Sequence, residues 1–445
     1  MHQLNSHILT LTSVCTPKME FPVKCELSIG YCGLNNHKVS IMSLLRNIRG
    51  NVSSAADAAS PHGTPAPSIA RLFLAFLKLG ATSFGGPSIV VYIRQLAVEK
   101  MRWMQESSFL EGVALCQMLP GATAMQTAGY VGFYVRGLLG AAAAFIGFGL
   151  PSFILMLIFS ALYVRSHNIT QVISAFSGLQ VIIVAIIANA VVSFGRTTLK
   201  DWKSVAISLT SAVMFRLGIS PIVVIVFAMI LGVVLHIDAT SLSSKIEATS
   251  RRSQAGLIFL LVSTGAAFIL LFIFNRQLFD LAWLMSVINL FSFGGGFACL
   301  PLMLHEVVDV RHWLDGPTFL NGIILGQITP GPISISAAFV GYLLRGPIGA
   351  LVATIGTFLP AFLLLIVTAP YFKRLLASSR FVAAAGGTLC SFVGLLITVG
   401  MRFSLDVHWD PVHIVLACIS LLALLLGTDV LWVVLVGTAL SILFI

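Results

Sequence analysis

The chain has 445 residues, of which 58% are hydrophobic and only 9% charged; soluble domains carry about 25% charged residues, so most of this chain lives in lipid, and collagen-like, disulfide-framework and disordered classes are excluded. The basic surplus, 26 Lys+Arg against 16 Asp+Glu, reads in such a chain as a topology signal in loops, and no nucleic-acid partner is expected. Its 38 Gly and 17 Pro exclude a bundle of uninterrupted helices.

Residues 1–68 are polar and end in the loop-like run from Ser60 to Pro67, which reads as a disordered N-terminal tail. From Ile69 onward apolar runs dominate, and a span needs roughly 20 residues. The first membrane repeat, 69–236, holds runs at 69–98, 109–133, 138–163, 171–194 and 204–236, the last broken at Pro221. A basic connector, 237–255, carries Lys245, Arg251 and Arg252. The second repeat, 256–445, holds runs at 256–274, 278–304, 318–343, 347–371, 382–400, 412–426 and 429–445. The seven cysteines are scattered with no metal-ligand spacing.

The two halves are one unit written twice. Ser83-Phe84-Gly85-Gly86 matches Ser292-Phe293-Gly294-Gly295 at an offset of 209. Trp103 then matches Trp313, Gln117 matches Gln327, and Pro120-Gly121 matches Pro330-Gly331, with a slip to 210. The offset returns to 209 for Arg136-Gly137 with Arg345-Gly346 and Leu150-Pro151 with Leu359-Pro360. Loop charges of the halves disagree: Arg165 alone follows one span of the first half, where the second has Lys373, Arg374 and Arg380. One span later the first half has Arg196, Lys200 and Lys203 against Asp201, and the second Arg402 against Asp406 and Asp410. Both cationic loops face the cytoplasm only if the halves are inverted. The expected fold is therefore an all-α polytopic membrane protein of two inverted-topology repeats, about five to six spans each, an architecture that places substrate at the repeat interface near mid-membrane.

Pro120-Gly121 and Pro330-Gly331 sit near the centres of runs long enough to span. Proline removes a backbone donor and clashes with the preceding turn, so each run should split, with new half-helices starting near Thr123 and near Ile333 or Ser334. Their unpaired N–H groups and positive dipole ends then form an anion site at mid-membrane depth. Gly85, Gly86, Gly294 and Gly295 interrupt the preceding runs and permit close backbone approach; with no Lys-Ser or Lys-Thr after them they are not a phosphate loop. Lys78 stands inside an apolar stretch, where a charge is a functional hypothesis because of its cost in lipid. Arg136 and Arg345 share a repeat position and read either as snorkelling helix-end cations or as counter-charges. His305, Asp309 and His312 resemble part of a zinc motif, but a solvated face is the better reading, and no metal or cofactor is expected. Enzymatic machinery, either a nucleophile elbow or paired mid-span carboxylates, is not visible. Glu99, Glu106, Glu111, Asp238, Asp280, Glu306 and Asp429 all fall near the ends of runs, which leaves anion uptake without a coupling group. Export needs none: the membrane potential supplies a dianion with about a 2000-fold gradient per 100 mV.

Phe84-Gly85-Gly86-Pro87 with Trp103, Leu119 to Thr127, Tyr130-Val131-Gly132 and Leu150-Pro151-Ser152, followed by Phe293 to Gly296, Gln327-x-x-Pro330-Gly331-Pro332 and Gly341-Tyr342, together resemble the chromate ion transporter family, long-chain type. The resemblance covers about residues 69–445. It implies a two-halved inner-membrane carrier with oppositely oriented halves that exports chromate and confers resistance, sulfate being the related oxyanion. On this reading Gln117, Pro120, Gly121, Thr123, Gln327, Pro330, Gly331 and Ser334 line the substrate site. Gly85, Gly86, Gly294 and Gly295 let backbone approach, and Lys78, Arg136 and Arg345 supply counter-charge. The partners are an oxyanion and the lipid bilayer, with a homodimer left open; a channel and a membrane-embedded enzyme are the competing classes.

Overall fold

The computed structural model describes residues 67–84, 89–166, 170–235, 254–371, 375, 378–407 and 409–444. The tail over 1–68 and the connector over 237–255 lie almost wholly outside these residues, and Gly85 and Gly86 lie outside them entirely. Every regular element among the described residues is helical. Five segments are long and apolar enough to cross a membrane: Thr123–Arg165, Phe176–Thr198, Gly256–Phe274, Ile333–Tyr371 and Ser379–Leu405.

One order of elements runs through twice. In the first half α1 (Ile69–Thr82) is followed by α2 (Ile89–Arg94), which continues as a π-helical segment, Gln95–Lys100. Then come α3 (Glu106–Met118), α4 (Thr123–Ser166), α5 (Thr170–Thr198), α6 (Trp202–Arg216) and α7 (Pro221–Val234). After α8 (Gln254–Phe274), the second half repeats the order with α9 (Arg276–Leu290), a 3-10 turn at Gly296–Ala298, α10 (Cys299–Met303) and a π-helical segment, Leu304–Val310. It continues through α11 (Gly316–Ile328), a 3-10 turn at Ile333–Ile335, α12 (Ser336–Thr368), α13 (Ser379–Asp406), α14 (Pro411–Leu425) and α15 (Val430–Phe444). Even backbone exceptions repeat: Arg102 and His312, each just beyond a π-helical segment, have φ of 51° and 52°. Helix α8 has no counterpart among the described residues, and none of its apolar window is buried.

Local chemistry sets the boundaries. Asn275 and Asp315 accept the amides of Leu278 and Thr318, capping α9 and α11. Pro221 and Pro411 stand at the first turns of α7 and α14, where the missing N–H costs nothing. Both α4 and α12 are hairpins rather than single rods. Arg136 and Gly137 leave helical geometry in α4, with Gly137 at φ 62°, and Arg345 and Gly346 do the same in α12, with Gly346 at φ 60°. The limbs, 123–135 with 138–166 and 336–344 with 347–368, close tightly because glycines face each other. A Cβ on Gly132 would lie 2.2 Å from the Gly140 carbonyl oxygen, and one on Gly341 equally close to that of Gly349.

Between halves the helices are exchanged. The pair α6 and α7 packs on α13, while α14 and α15 pack on α5. Polar contacts cross this seam: Ser177 Oγ on α5 lies 3.2 Å from His413 Nε2 on α14, and Gln180 Nε2 donates to Asn321 Oδ1 on α11 at 3.1 Å. The largest buried cluster draws Leu179, Ile182, Ile183 and Val224 from the first half together with Met285, Ile323 and Val399 from the second. The halves therefore share one core.

Candidate functional site

The two Pro-Gly motifs meet Ser83 and Ser292, the equivalent serines of the opposite halves, crosswise. Helix α3 stops at Met118 and α4 starts at Thr123; α11 stops at Ile328 and helical turns resume at Ile333. In the gaps Gly121 and Gly331 take φ of +117° and +106°, values open to glycine and costly for any residue with a Cβ. The amide of Gly121 donates to the carbonyl of Ser292 at 2.8 Å, and that of Gly331 to the carbonyl of Ser83 at 3.0 Å. Each half thus anchors its chain break on a serine carbonyl of the other, Ser292 or Ser83.

Side chains complete the two corners differently. Ser152, on the second limb of α4, donates to the carbonyl of Pro330 at 2.5 Å. At the equivalent place the second half has Ala361, and the carbonyl of Pro120 instead accepts from Gln126 Nε2 at 2.9 Å. Asn289 Oδ1 lies close to the Gly121 corner, 3.2 Å from where a Cβ on Gly121 would stand.

The loop 294–296 reaches the start of both half-helices. A Cβ on Gly295 would lie 3.5 Å from Thr123 Oγ1, and one on Gly296 would lie 3.5 Å from the Ile333 amide nitrogen and 3.6 Å from that of Ser334. Gly294 and Gly295 both have positive φ, +97° and +96°, which bends the loop into this place. Four buried polar atoms on these segments lack a protein partner: Ser334 Oγ where the second half-helix starts, Gln126 Oε1 and Asn289 Oδ1 on residues beside the Gly121 corner, and Gln327 Nε2 in the last turn before Pro330. A buried polar atom left unpaired costs about 1–3 kcal/mol, so each of these four is open to a further hydrogen bond.

The sequence-derived candidates divide accordingly. Pro120, Gly121, Thr123, Gly294, Gly295, Pro330, Gly331 and Ser334 belong to this centre, and Gln117 and Gln327 stand in the last turns of the helices leading to its corners. Lys78 does not join them; it is exposed on α1. Arg136 and Arg345 are exposed at their hairpin corners, separated from Thr123 and Ile333 by about 20 Å of helix at 1.5 Å per residue. Arg136 Nε donates to the carbonyl of Pro67 at 2.8 Å, and Arg345 borders a cavity of about 270 Å³ with Gln277, Asp280 and Arg311. Ser152 and Gln126, which the sequence offered as parts of the family motifs and not as site residues, enter the centre together with Asn289; their local signal was polarity inside an apolar run.

The partial zinc motif resolves into ion pairing. Arg402 on α13 binds Asp309 through both terminal nitrogens at 2.6 Å, His305 Nδ1 lies 3.9 Å from Asp309, and His312 Nδ1 lies 2.9 Å from the carbonyl of Val308. Among the described residues no three His, Cys, Asp or Glu side chains group as metal ligands.

Apolar helices, broken at a shared centre and exchanged between repeated halves, define a multi-pass membrane protein. A sequence model described as chromate transporter matches residues 70–233 and, a second time, residues 279–442. The chain belongs to the chromate transporter family. It is 40% identical to an uncharacterised transporter of Methanocaldococcus jannaschii over 378 residues, covering 84% of this chain and 94% of the relative. It is 29% identical to a chromate transport protein of Cupriavidus metallidurans, covering 76% of this chain and 83% of the relative, and 30% identical to one of Pseudomonas aeruginosa, covering 77% and 83%. No solved structure matches.

Proposed function

We propose that this protein is a secondary transporter that carries chromate, a doubly charged tetrahedral oxyanion, out of the cell across the cytoplasmic (inner) membrane and so confers chromate resistance. One observation carries the reading: the 294–296 loop lies against the starts of both half-helices, Thr123 on one side and Ile333 with Ser334 on the other, where Ser334 Oγ is an unpaired donor, as is Gln327 Nε2 in the last turn before Pro330. Helix N-termini concentrate unpaired N–H groups and partial positive charge, and a dianion offsets the cost of leaving these donors bare. The names of the Cupriavidus metallidurans and Pseudomonas aeruginosa relatives support chromate as the cargo.

Export is supported by energetics. A dianion leaving a negative-inside cell gains about 4.6 kcal/mol per 100 mV and needs no titratable partner at the centre. Opposite orientation of the halves is supported by a ring contact. Tyr163 stands about 40 Å of helix from the Arg136 corner, yet its ring centroid is 5.1 Å from that of Phe339, which is about 9 Å of helix from Arg345.

Everted membrane vesicles test the function. An inside-positive potential should drive accumulation of labelled chromate, and competition by sulfate and molybdate should rank the cargo. Gln327→Leu with Ser334→Ala should abolish saturable uptake. Absence of potential-driven chromate accumulation by the intact protein overturns the proposal.

A further inference from the structure

Lys78 lies apart from the centre and has a setting of its own. A cavity of about 500 Å³ runs between α1 and the α2/π-helical segment, with Lys78, Thr82, Tyr92, Gln95 and Lys100 in its lining. Glu99 also borders it, but its carboxylate accepts from Arg94 Nη1 at 2.6 Å, so its charge is already engaged. Among the described residues neither Lys78 nor Lys100 forms an ion pair. Two ammonium groups in one groove, beside the neutral donors Thr82, Tyr92 and Gln95, raise the local concentration of anions.

One lining residue of this groove is next in the chain to the centre. Thr82 lines the groove, and the next residue, Ser83, gives its carbonyl to the Gly331 amide. The second half lacks the charges, since Val287 and Val310 occupy the positions equivalent to Lys78 and Lys100. There the counterpart of Glu99 is Asp309, bound to Arg402 on α13. The cationic groove therefore exists on one side of the pseudo-symmetric molecule.

We propose that this groove is a second, superficial oxyanion site, a one-sided vestibule in which Lys78 and Lys100 gather a tetrahedral dianion before it passes Thr82 to the Pro-Gly corners. The proposal rests on the transport reading above. The same chemistry would hold the phosphate headgroup of an acidic lipid, and the experiment separates the two sources.

Two measurements on the full-length protein decide it. In a background with all seven cysteines replaced, Thr82→Cys should react about tenfold faster with a sulfonate-bearing methanethiosulfonate than with its trimethylammonium analogue. Sulfate should slow the reaction, and Lys78→Gln with Lys100→Gln should erase the preference. In proteoliposomes the same double variant, with native Thr82, should raise the oxyanion KM about tenfold with Vmax unchanged, in pure phosphatidylcholine as in membranes containing phosphatidylglycerol. A thiol without charge preference or sulfate protection overturns the vestibule, as does a KM shift confined to phosphatidylglycerol membranes, which assigns the groove to lipid. The thiol reaction needs no transport. Sulfate protection in a protein that moves no oxyanion would sink the carrier reading alone, and transport without protection would sink the vestibule alone.

Discussion

Gly121 N–H and the Ser292 carbonyl oxygen, 2.8 Å apart, join a chain break in one half of the molecule to the glycine-rich loop of the other. With the reciprocal bond from Gly331 to Ser83 at 3.0 Å, it makes each break dependent on the opposite half. Neither corner can form until both halves have packed.

The Gly331 corner should not accept a side chain. A Cβ there would stand 2.1 Å from Ser152 Oγ, on a backbone with φ of +106°. Gly331→Ala should destabilise the protein by about 3 kcal/mol or more, seen as a lower unfolding temperature in detergent. Adding Ser152→Ala should recover part of the loss by removing the clashing oxygen, and thermal unfolding of the single and double variants measures the coupling.

Removing the hydroxyl of Ser152 alone should cost about 1–3 kcal/mol, because the buried Pro330 carbonyl loses its donor. Ser334→Ala should leave stability unchanged or raise it, since the change removes a buried hydroxyl that has no protein partner. Transport should respond in the opposite sense, with Ser334→Ala raising the chromate KM about tenfold. Paired thermal and uptake measurements on both variants check the contrast.

The hairpin in α12 predicts a sharp size limit. Gly341→Val should prevent stable folding, because its Cβ would collide with the Gly349 backbone carbonyl and overpacking against backbone relaxes poorly. Arg345→Ala, four residues on at the exposed corner, should fold normally. Yield of monodisperse protein after detergent extraction distinguishes them.

The bidentate contact of Arg402 with Asp309 is partly solvated, with side chains 40% and 29% exposed. Water screens such a pair, so a double-mutant cycle with Arg402→Met and Asp309→Asn should give a coupling of about 1 kcal/mol or less, falling with added salt.

Much of the chain was readable as sequence. Pro120-Gly121 and Pro330-Gly331 announce broken helices because a missing donor and a ring clash act locally, and the observed restarts at Thr123 and Ile333 follow from that local chemistry. The apolar run 69–98 parts into α1 and α2 on either side of the expected interruption at Gly85 and Gly86, but the π-helical segment after Arg94 has no sign in hydropathy, which measures composition and not helix type. Lys78 was conspicuous for its charge, yet nothing local tells that its partners in space are Gln95 and Lys100. Asn289 was inconspicuous and Ser152 stood only as part of the Leu150-Pro151-Ser152 motif, because one polar residue in an apolar helix gains its role only from what packs against it.

The sequence by itself determined the solvent in which the chain folds, the duplication of its unit and the positions where its helices break, since each follows from side-chain polarity or backbone chemistry within a few residues. Only the tertiary structure decided that α6 and α7 embrace α13 while α14 and α15 embrace α5, and that each Pro-Gly corner is capped by the opposite half. Those contacts join residues about two hundred positions apart, and their selection depends on which glycine, serine and aromatic surfaces fit when the two halves close on each other.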